Sequence, residues 1–335
     1  MKRKTIITVL TTVAVVAIAM HAMFGSIMNN RSVEYVCIDS DDNRDSLINK
    51  VYDAAHPTTM LGFRMLVNLS DMKVHTGRYT VDPDMSMLKL FRNVRGHIQE
   101  PVRVVVPVTR TIGQLSGRLS SVLMHDSAEF NRAFCDEQRC AEYGFTPTTI
   151  PAAIIPDTYE FYWDTSVGVV LRALNKRYKS FWDSSRQASA RELGLSPTEV
   201  SILASIVDAE SDFNPEKPRI AGLYLNRLHR DLPLQSDPTV IFAIGDFGIH
   251  RVSQEQTRFK SPYNTYVNKG LPPGPIRIPS VAGIDAVLNA EKHDYLYMCA
   301  KEDFSGSHNF AVEYSEHLKN AAKYTQALNR HGITK

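Results

Sequence analysis

"SPTEVSILASIVDAESDFNP", Ser196 to Pro215, is the stretch on which the reading of the chain turns. Ser196 is placed to cap a helix, Pro197 suits the first helical position and Glu199 completes a capping box. The run that follows is mostly apolar, and two acids, Asp208 and Glu210, close it. At about 3.6 residues per turn, Val200, Leu203, Ile206 and Val207 share one face, and Glu210 continues that face by one turn. Asp208 points to nearly the opposite side. The expectation is a buried helix ending in a desolvated Glu210 and a solvated Asp208. Desolvation favours the protonated carboxyl, which a general acid near neutrality requires. Taken alone, Glu210 also fits a core-edge carboxylate held by an arginine or by backbone amides.

Outward from this helix the chain reads as one large domain from "IIPDTYEFYWDTS" (Ile154–Ser166) to its end. "VGVVLRALNKRYKSFW" is an amphipathic helix upstream. Downstream, "RIAGLYLNRLHRDLPLQSDPTV" places Asn226, Gln235, Ser236, Asp237 and Thr239 into and after a second helix. "SPYNTYVNKGLPPGP" adds Tyr263, Asn264, Thr265 and Tyr266 ahead of a stiff Gly/Pro loop. Amides, hydroxyls and aromatic faces of this kind suit a groove for N-acetylated sugars. "SVAGIDAVLNA" reads as a helix, "DYLYMCA" as a strand and "YSEHLKNAAKYTQALNRH" as a closing helix. His308 and His317 are read as packing or capping groups, with substrate contact as the alternative.

The N-terminal part has a different character. "MKRK" precedes Thr5–Phe24, an apolar run about as long as the roughly 20 residues that cross a bilayer. A basic flank belongs on the cytoplasmic side, so residues 1–25 read as a cytoplasmic stub and transmembrane anchor. A cleaved signal peptide competes, because "AIA" (Ala17–Ala19) resembles a cleavage site. After a polar link, "GSIMNNRS", residues 33–125 read as strand, two helices, strand and helix, then "PVRVVVPV" as a strand and "TIGQLSGRLSSVL" as a helix. Residues 126–153 read as an irregular linker or excursion. Among 335 residues the net charge is +2 and 22% are charged, which gives no sign of a nucleic-acid partner or of disorder. Four cysteines, Cys37, Cys135, Cys140 and Cys299, lack the spacing of a zinc site; Cys135 and Cys140 are close enough to staple a small loop.

"LASIVDAES", "IAGLYLNRL", "LPLQSDPTVIFAIG", "SPYNTYVNKGLPPGPI" and "DYLYMCAKEDFSGSHNF", in that order, resemble the endolytic murein transglycosylases of the YceG-like type. The resemblance is strong over about residues 154–325 and holds by layout alone over 33–125, where the family carries a LysM-like module. It implies an α+β protein: a transmembrane helix, a LysM-like module and a mixed α/β catalytic domain with the catalytic glutamate at a helix end. It implies cleavage of the β-1,4 bond between N-acetylmuramic acid and N-acetylglucosamine within peptidoglycan, giving 1,6-anhydro ends and terminating nascent strands. By motif, Glu210 is the catalytic acid, and Asn226, Gln235, Asp237, Thr239, Tyr263 and Asn264 line the glycan groove; each of these six is alternatively a loop-fixing or capping residue. Asp208 stands where the family often has Glu. "SVEYVCIDSDDNRDSLINK" lacks the glycine-containing turn usual in a LysM repeat. The implied partners are peptidoglycan strands and cell-wall synthases (penicillin-binding proteins), at the inner membrane, with no metal or other cofactor. Two rivals remain: a hydrolase with Glu210 as acid and Asp237 as base, and a non-catalytic glycan-binding scaffold.

Overall fold

The apolar N-terminal run forms α1 (Lys2–Phe24), in which Lys4–His21 is long and apolar enough to cross a membrane, with a mean hydropathy of 1.8. The computed structural model describes residues 2–25, 32–57, 59–249 and 251–331, so nearly all of the expected polar link lies outside the described residues. The chain divides into two compact units.

The first unit holds residues 1–104 with 120–125 and 159–166. β1 (Glu34–Ile38), α2 (Arg44–Ala55), α3 (Leu61–Leu69), β2 (Gly77–Val81) and α4 (Met87–Arg95) follow the expected order. β1 and β2 are antiparallel, with Cys37 opposite Arg78. Period-two alternation turns Val36, Ile38, Tyr79 and Val81 inward, and the helices lay Leu47, Val51, Phe63, Val67, Leu90 and Val94 against them. Asn43 opens α2 with a capping box, its Oδ1 accepting from the Ser46 amide while Ser46 Oγ accepts from its own.

β3 (Val102–Val106) and α5 (Ile112–Ser120) come next, then α6 (Ser127–Cys135), α7 (Glu137–Glu142) and β4 (Asp157–Phe161), which pairs with β3. Residues 126–153 are therefore not irregular. Asp126 and Asp136 each accept a hydrogen bond from the amide three residues on, capping α6 and α7, and Ile150–Ala153 is a 3-10 turn. The two aspartates were the signal for these helices. The expected cysteine staple is also absent: Cys135 is exposed, whereas Cys140 is buried on α7, its thiol donating to the Phe134 carbonyl at 3.2 Å. Burial pushes that thiol up to about 11.

The second unit holds residues 105–119, 126–158 and 167–335. Its further elements are α8 (Val167–Phe181), α9 (Ser184–Glu192), α10 (Pro197–Glu210), α11 (Lys217–His229), α12 (Asp237–Ile244), α13 (Val281–Leu288), β5 (Tyr297–Ala300), β6 (His308–Ala311) and α14 (Tyr314–Arg330). β5 and β6 form an antiparallel pair. α10 begins with the predicted capping box, Ser196 Oγ accepting from the Glu199 amide and Glu199 Oε2 from that of Ser196. It is the central element, packed against α9, α11, α12, α13 and the 3-10 turn, and every residue from Val200 to Asp208 is buried.

Asp208 therefore corrects the two-faced reading of this helix. A helix covered on all sides has no solvated face, and Asp208 is only 4% exposed. Its Oδ1 accepts from Lys217 Nζ at 2.7 Å and Ser280 Oγ at 2.8 Å, and its Oδ2 accepts from the Ser280 amide at 2.6 Å. Gly283 makes room for it: a Cβ there would lie 2.6 Å from the carboxyl. Removing one partner of a buried ion pair strands the other charge. Lys217→Met should lower the unfolding free energy by about 3 kcal/mol, as measured by chemical denaturation, with an expressed but less stable protein.

Candidate active site

Glu210 is the last residue of α10, and two hydroxyls converge on it. Tyr224, on α11, donates to Glu210 Oε1 at 2.6 Å, and Ser236 donates to the same oxygen at 2.5 Å. Ser236 occupies the N-cap of α12, but its hydroxyl makes no capping bond. A serine there normally satisfies one of the helix's free amides, worth about 1 kcal/mol. Here it holds the carboxyl instead. Because Oε1 takes both donors, a protonated Glu210 carries its hydrogen on Oε2, for which the described residues offer no partner.

Glu210 lines a cavity of about 490 Å³ together with Tyr224, Arg227, Gln235, Asp237, Tyr266, Tyr297, His308 and His317. Burial raises the Glu210 pKa, against the opposing pull of the Ser236 and Tyr224 hydroxyls and of His308. Tyr224, buried beside that carboxyl, is raised well above the ordinary tyrosine range and stays a donor. Asp237 is raised by burial as well, and Tyr266 donates to its Oδ1 at 2.5 Å. The arrangement can store one proton on Glu210, release it to an enclosed ligand and hold that ligand against aromatic and amide surfaces.

The residues expected to line the groove separate into two groups. Gln235 and Asp237 join Glu210 in the cavity. Gln235 has a left-handed backbone (φ 55°), uncommon outside glycine, and is held there by its amide on the Thr265 carbonyl and by Arg227 donating to its Oε1 at 2.6 Å. Asp237 does not cap α12; it is that helix's first residue. Asn264 and Thr239 lie behind the surface, and Asn226 is partly buried outside the cavity. Asn264 is wholly buried, its amide nitrogen donating to the Thr257 and Phe259 carbonyls and its oxygen accepting from the Tyr266 amide. Thr239 hydrogen-bonds the Ser236 carbonyl and the Thr265 hydroxyl. Asn226 donates to the carbonyls of His293 and Tyr295, fixing the approach to β5. Tyr263 lines a different cavity, packed on Phe242.

Tyr224, Arg227 and Tyr297 are in the site although the sequence did not single them out. Tyr224 lies two residues before the flagged Asn226, and helical phase turns it to the opposite side. Arg227 donates to the carbonyls of Pro233 and Leu296 as well as to Gln235, and so holds two walls of the cavity together. His317 stacks on Tyr297 at 5.5 Å and lines the same cavity.

The YceG-like family model matches residues 36–323. The chain belongs to the YceG-like family. An endolytic murein transglycosylase of Bacillus subtilis is 34% identical over 177 residues, covering 52% of this chain and 48% of that protein. One from Streptococcus pneumoniae is 27% identical over 294 residues, covering 78% of this chain and 52% of the relative. The chain thus spans about half the length of these curated relatives. A YceG-like protein of Listeria monocytogenes has the same fold: its crystal structure superposes with a TM-score of 0.57 at 24% identity, covering 87% of this chain and 99% of that one.

The raised Glu210 pKa has a consequence for stability in this YceG-like protein. Between the ordinary glutamate value and the raised one, the folded state binds more protons than the unfolded state, so stability falls as pH rises through that window. Glu210→Gln keeps an acceptor for both hydroxyls without the ionisation. Its melting temperature should exceed that of wild type at neutral pH, and the gap should shrink as pH is lowered through the window in a thermal-denaturation series.

Proposed function

We propose that the chain is a membrane-anchored endolytic lytic transglycosylase that cleaves the bond between N-acetylmuramic acid and N-acetylglucosamine inside peptidoglycan strands, leaving 1,6-anhydro ends and so terminating nascent strands. The observation that carries this reading is Glu210: one desolvated carboxyl, clamped through Oε1, with Oε2 free in a polar, aromatic-lined cavity. The names of the relatives from Bacillus and Streptococcus supply the substrate.

In the proposed reaction, protonated Glu210 gives its Oε2 hydrogen to the glycosidic oxygen as the bond to the muramyl C1 breaks. The Tyr224 and Ser236 hydroxyls, already on Oε1, stabilise the carboxylate that forms. The muramyl N-acetyl group assists the positive charge at C1. The C6 hydroxyl of the same sugar then closes onto C1, and its proton restores Glu210. Intramolecular attack has a high effective concentration, so no water needs activation. Hydrolytic glycosidases usually require a second carboxylate for that task. Asp237, the candidate for it here, is occupied by Tyr266 and raised in pKa by burial.

The same reading places α1 in the cytoplasmic membrane with its basic end inside and residues 33–335 outside. It makes 33–125 a LysM-like module with its connecting strand and helix and 154–335 the catalytic domain, and it makes cell-wall synthases the partners. Gln235, Asp237 and Tyr266 contact the glycan, while Asn226, Thr239 and Asn264 hold the loops that present them.

Two measurements test the activity. Digestion of uncrosslinked glycan strands should yield ends lighter by one water than reducing ends, as seen by mass spectrometry; reducing ends would make the protein a hydrolase. Glu210→Gln should remove turnover while retaining glycan binding, and near-wild-type cleavage by that variant would refute the assignment. The alkaline limb of the wild-type pH–rate profile should fall at a value above the ordinary glutamate range, since the reactive form is the protonated one.

A further inference from the structure

His308 opens β6 and lines the Glu210 cavity, and its ring is held from behind by a buried carboxylate. Nδ1 lies 2.8 Å from Glu216 Oε2, and the His308 backbone amide donates to Glu216 Oε1 at 2.8 Å. Glu216 is 6% exposed and belongs to the 3-10 turn Asn214–Glu216, a few residues past Glu210 in the chain. A carboxylate only accepts, so Nδ1 carries the hydrogen of the neutral ring and Nε2 is the acceptor. No described residue hydrogen-bonds Nε2. A histidine that serves only packing has no need of a buried carboxylate fixing one nitrogen while the other is left for the cavity. The carboxylate, the oriented imidazole and the acid across the same cavity form the constellation of a positioned base.

We propose that His308 is a second catalytic residue, the group that takes the proton of the muramyl C6 hydroxyl as O6 bonds to C1, with Glu216 as its positioning residue. This rests on the transglycosylase reading given above. The step balances internally. Glu210 delivers its proton to the leaving oxygen and the C1–O bond breaks. The O6–C1 bond forms, the hydroxyl proton passes to Nε2, and the resulting imidazolium is paired with Glu216. That proton then returns to the Glu210 carboxylate, and both groups regain their starting forms. Glu216 thus fixes the tautomer before the reaction and balances the charge during it.

The test uses the full chain in detergent and defined uncrosslinked glycan strands, with kcat and KM obtained from the rate of appearance of anhydro ends. His308→Gln should lower kcat about 100-fold or more with little change in KM, the scale of a lost general base. His308→Ala should regain part of its kcat in added imidazole, which a purely structural defect would not do. Glu216→Gln should lower kcat by a smaller factor at similar KM, and with His308→Gln it carries the test should the alanine variant not fold. A His308→Gln kcat within threefold of wild type overturns the proposal. So does a loss confined to KM, or an equal loss in both His308 variants with no recovery in imidazole. Turnover by Glu210→Gln would instead overturn the underlying transglycosylase reading, whatever the His308 variants do.

Discussion

A carboxylate shut away from water has to be answered from within the protein, and in the second unit that carboxylate is Asp208. Its two partners open two other helices: Lys217 is the first residue of α11 and Ser280 is the N-cap of α13. One side chain thereby ties the last turn of α10 to the starts of both neighbours, where helix dipoles favour negative charge. The geometry around Glu210 depends on this clamp. Glu210 follows Asp208 by two residues, and Tyr224, which holds Glu210, lies two turns along the helix that Lys217 begins. A change in how α10 meets α11 would move acid and donor relative to each other. Arg277 adds to the same junction by donating to the Asp208 carbonyl at 3.1 Å.

The environment of Glu210 balances two opposed effects. Enclosure favours the neutral acid, while two hydroxyl donors favour the carboxylate. Neither alone would serve the proposed acid, which must first hold a proton and then exist without it. Directing both donors to Oε1 separates the two demands in space: one oxygen is stabilised for the charged state, and the other remains open for proton transfer. Ser236 shows that this arrangement has a structural cost, because its hydroxyl serves the carboxyl and leaves the N-cap of α12 without a side-chain acceptor.

Much of this was legible in the sequence, and the misses have physical causes. The Ser196 capping box and the strand, two helices, strand and helix read at the start of residues 33–125 rest on local signals, and local structure followed them. Glu210 was legible because a charge at the end of an apolar run reports its own desolvation. Asp208 was not, since helical phase says which side a residue faces but not whether that side is covered; α10 is covered on every side. Asn264 and Thr239 have side chains that suit a sugar groove, yet such groups serve equally to fasten loops, and composition cannot separate the two uses. Tyr224 and Arg227 are not legible, because on an apolar helix they resemble ordinary core-edge residues; the packing of α11 beside α10 brings them to the site. His308 needed the tertiary pairing with Glu216, 92 positions away, before its ring could be distinguished from a packing histidine.

The presence of Asp237 in the same cavity bears on which reaction the site can run. Two carboxyls in one cavity suggest the pair of a hydrolase, but a base that activates water must be ionised and free to accept. Asp237 already accepts from Tyr266, and burial moves it toward its protonated form, as does the neighbouring burial for Glu210. Two carboxyls biased in the same direction do not divide into an acid and a base. His308, whose Nε2 is an acceptor, lines the same cavity, and as the proposed base it completes an acid–base set without a second carboxylate. Under the proposed reaction, a nucleophile that belongs to the substrate fits such a site, because the sugar's own hydroxyl would arrive already positioned and water need not be bound or oriented.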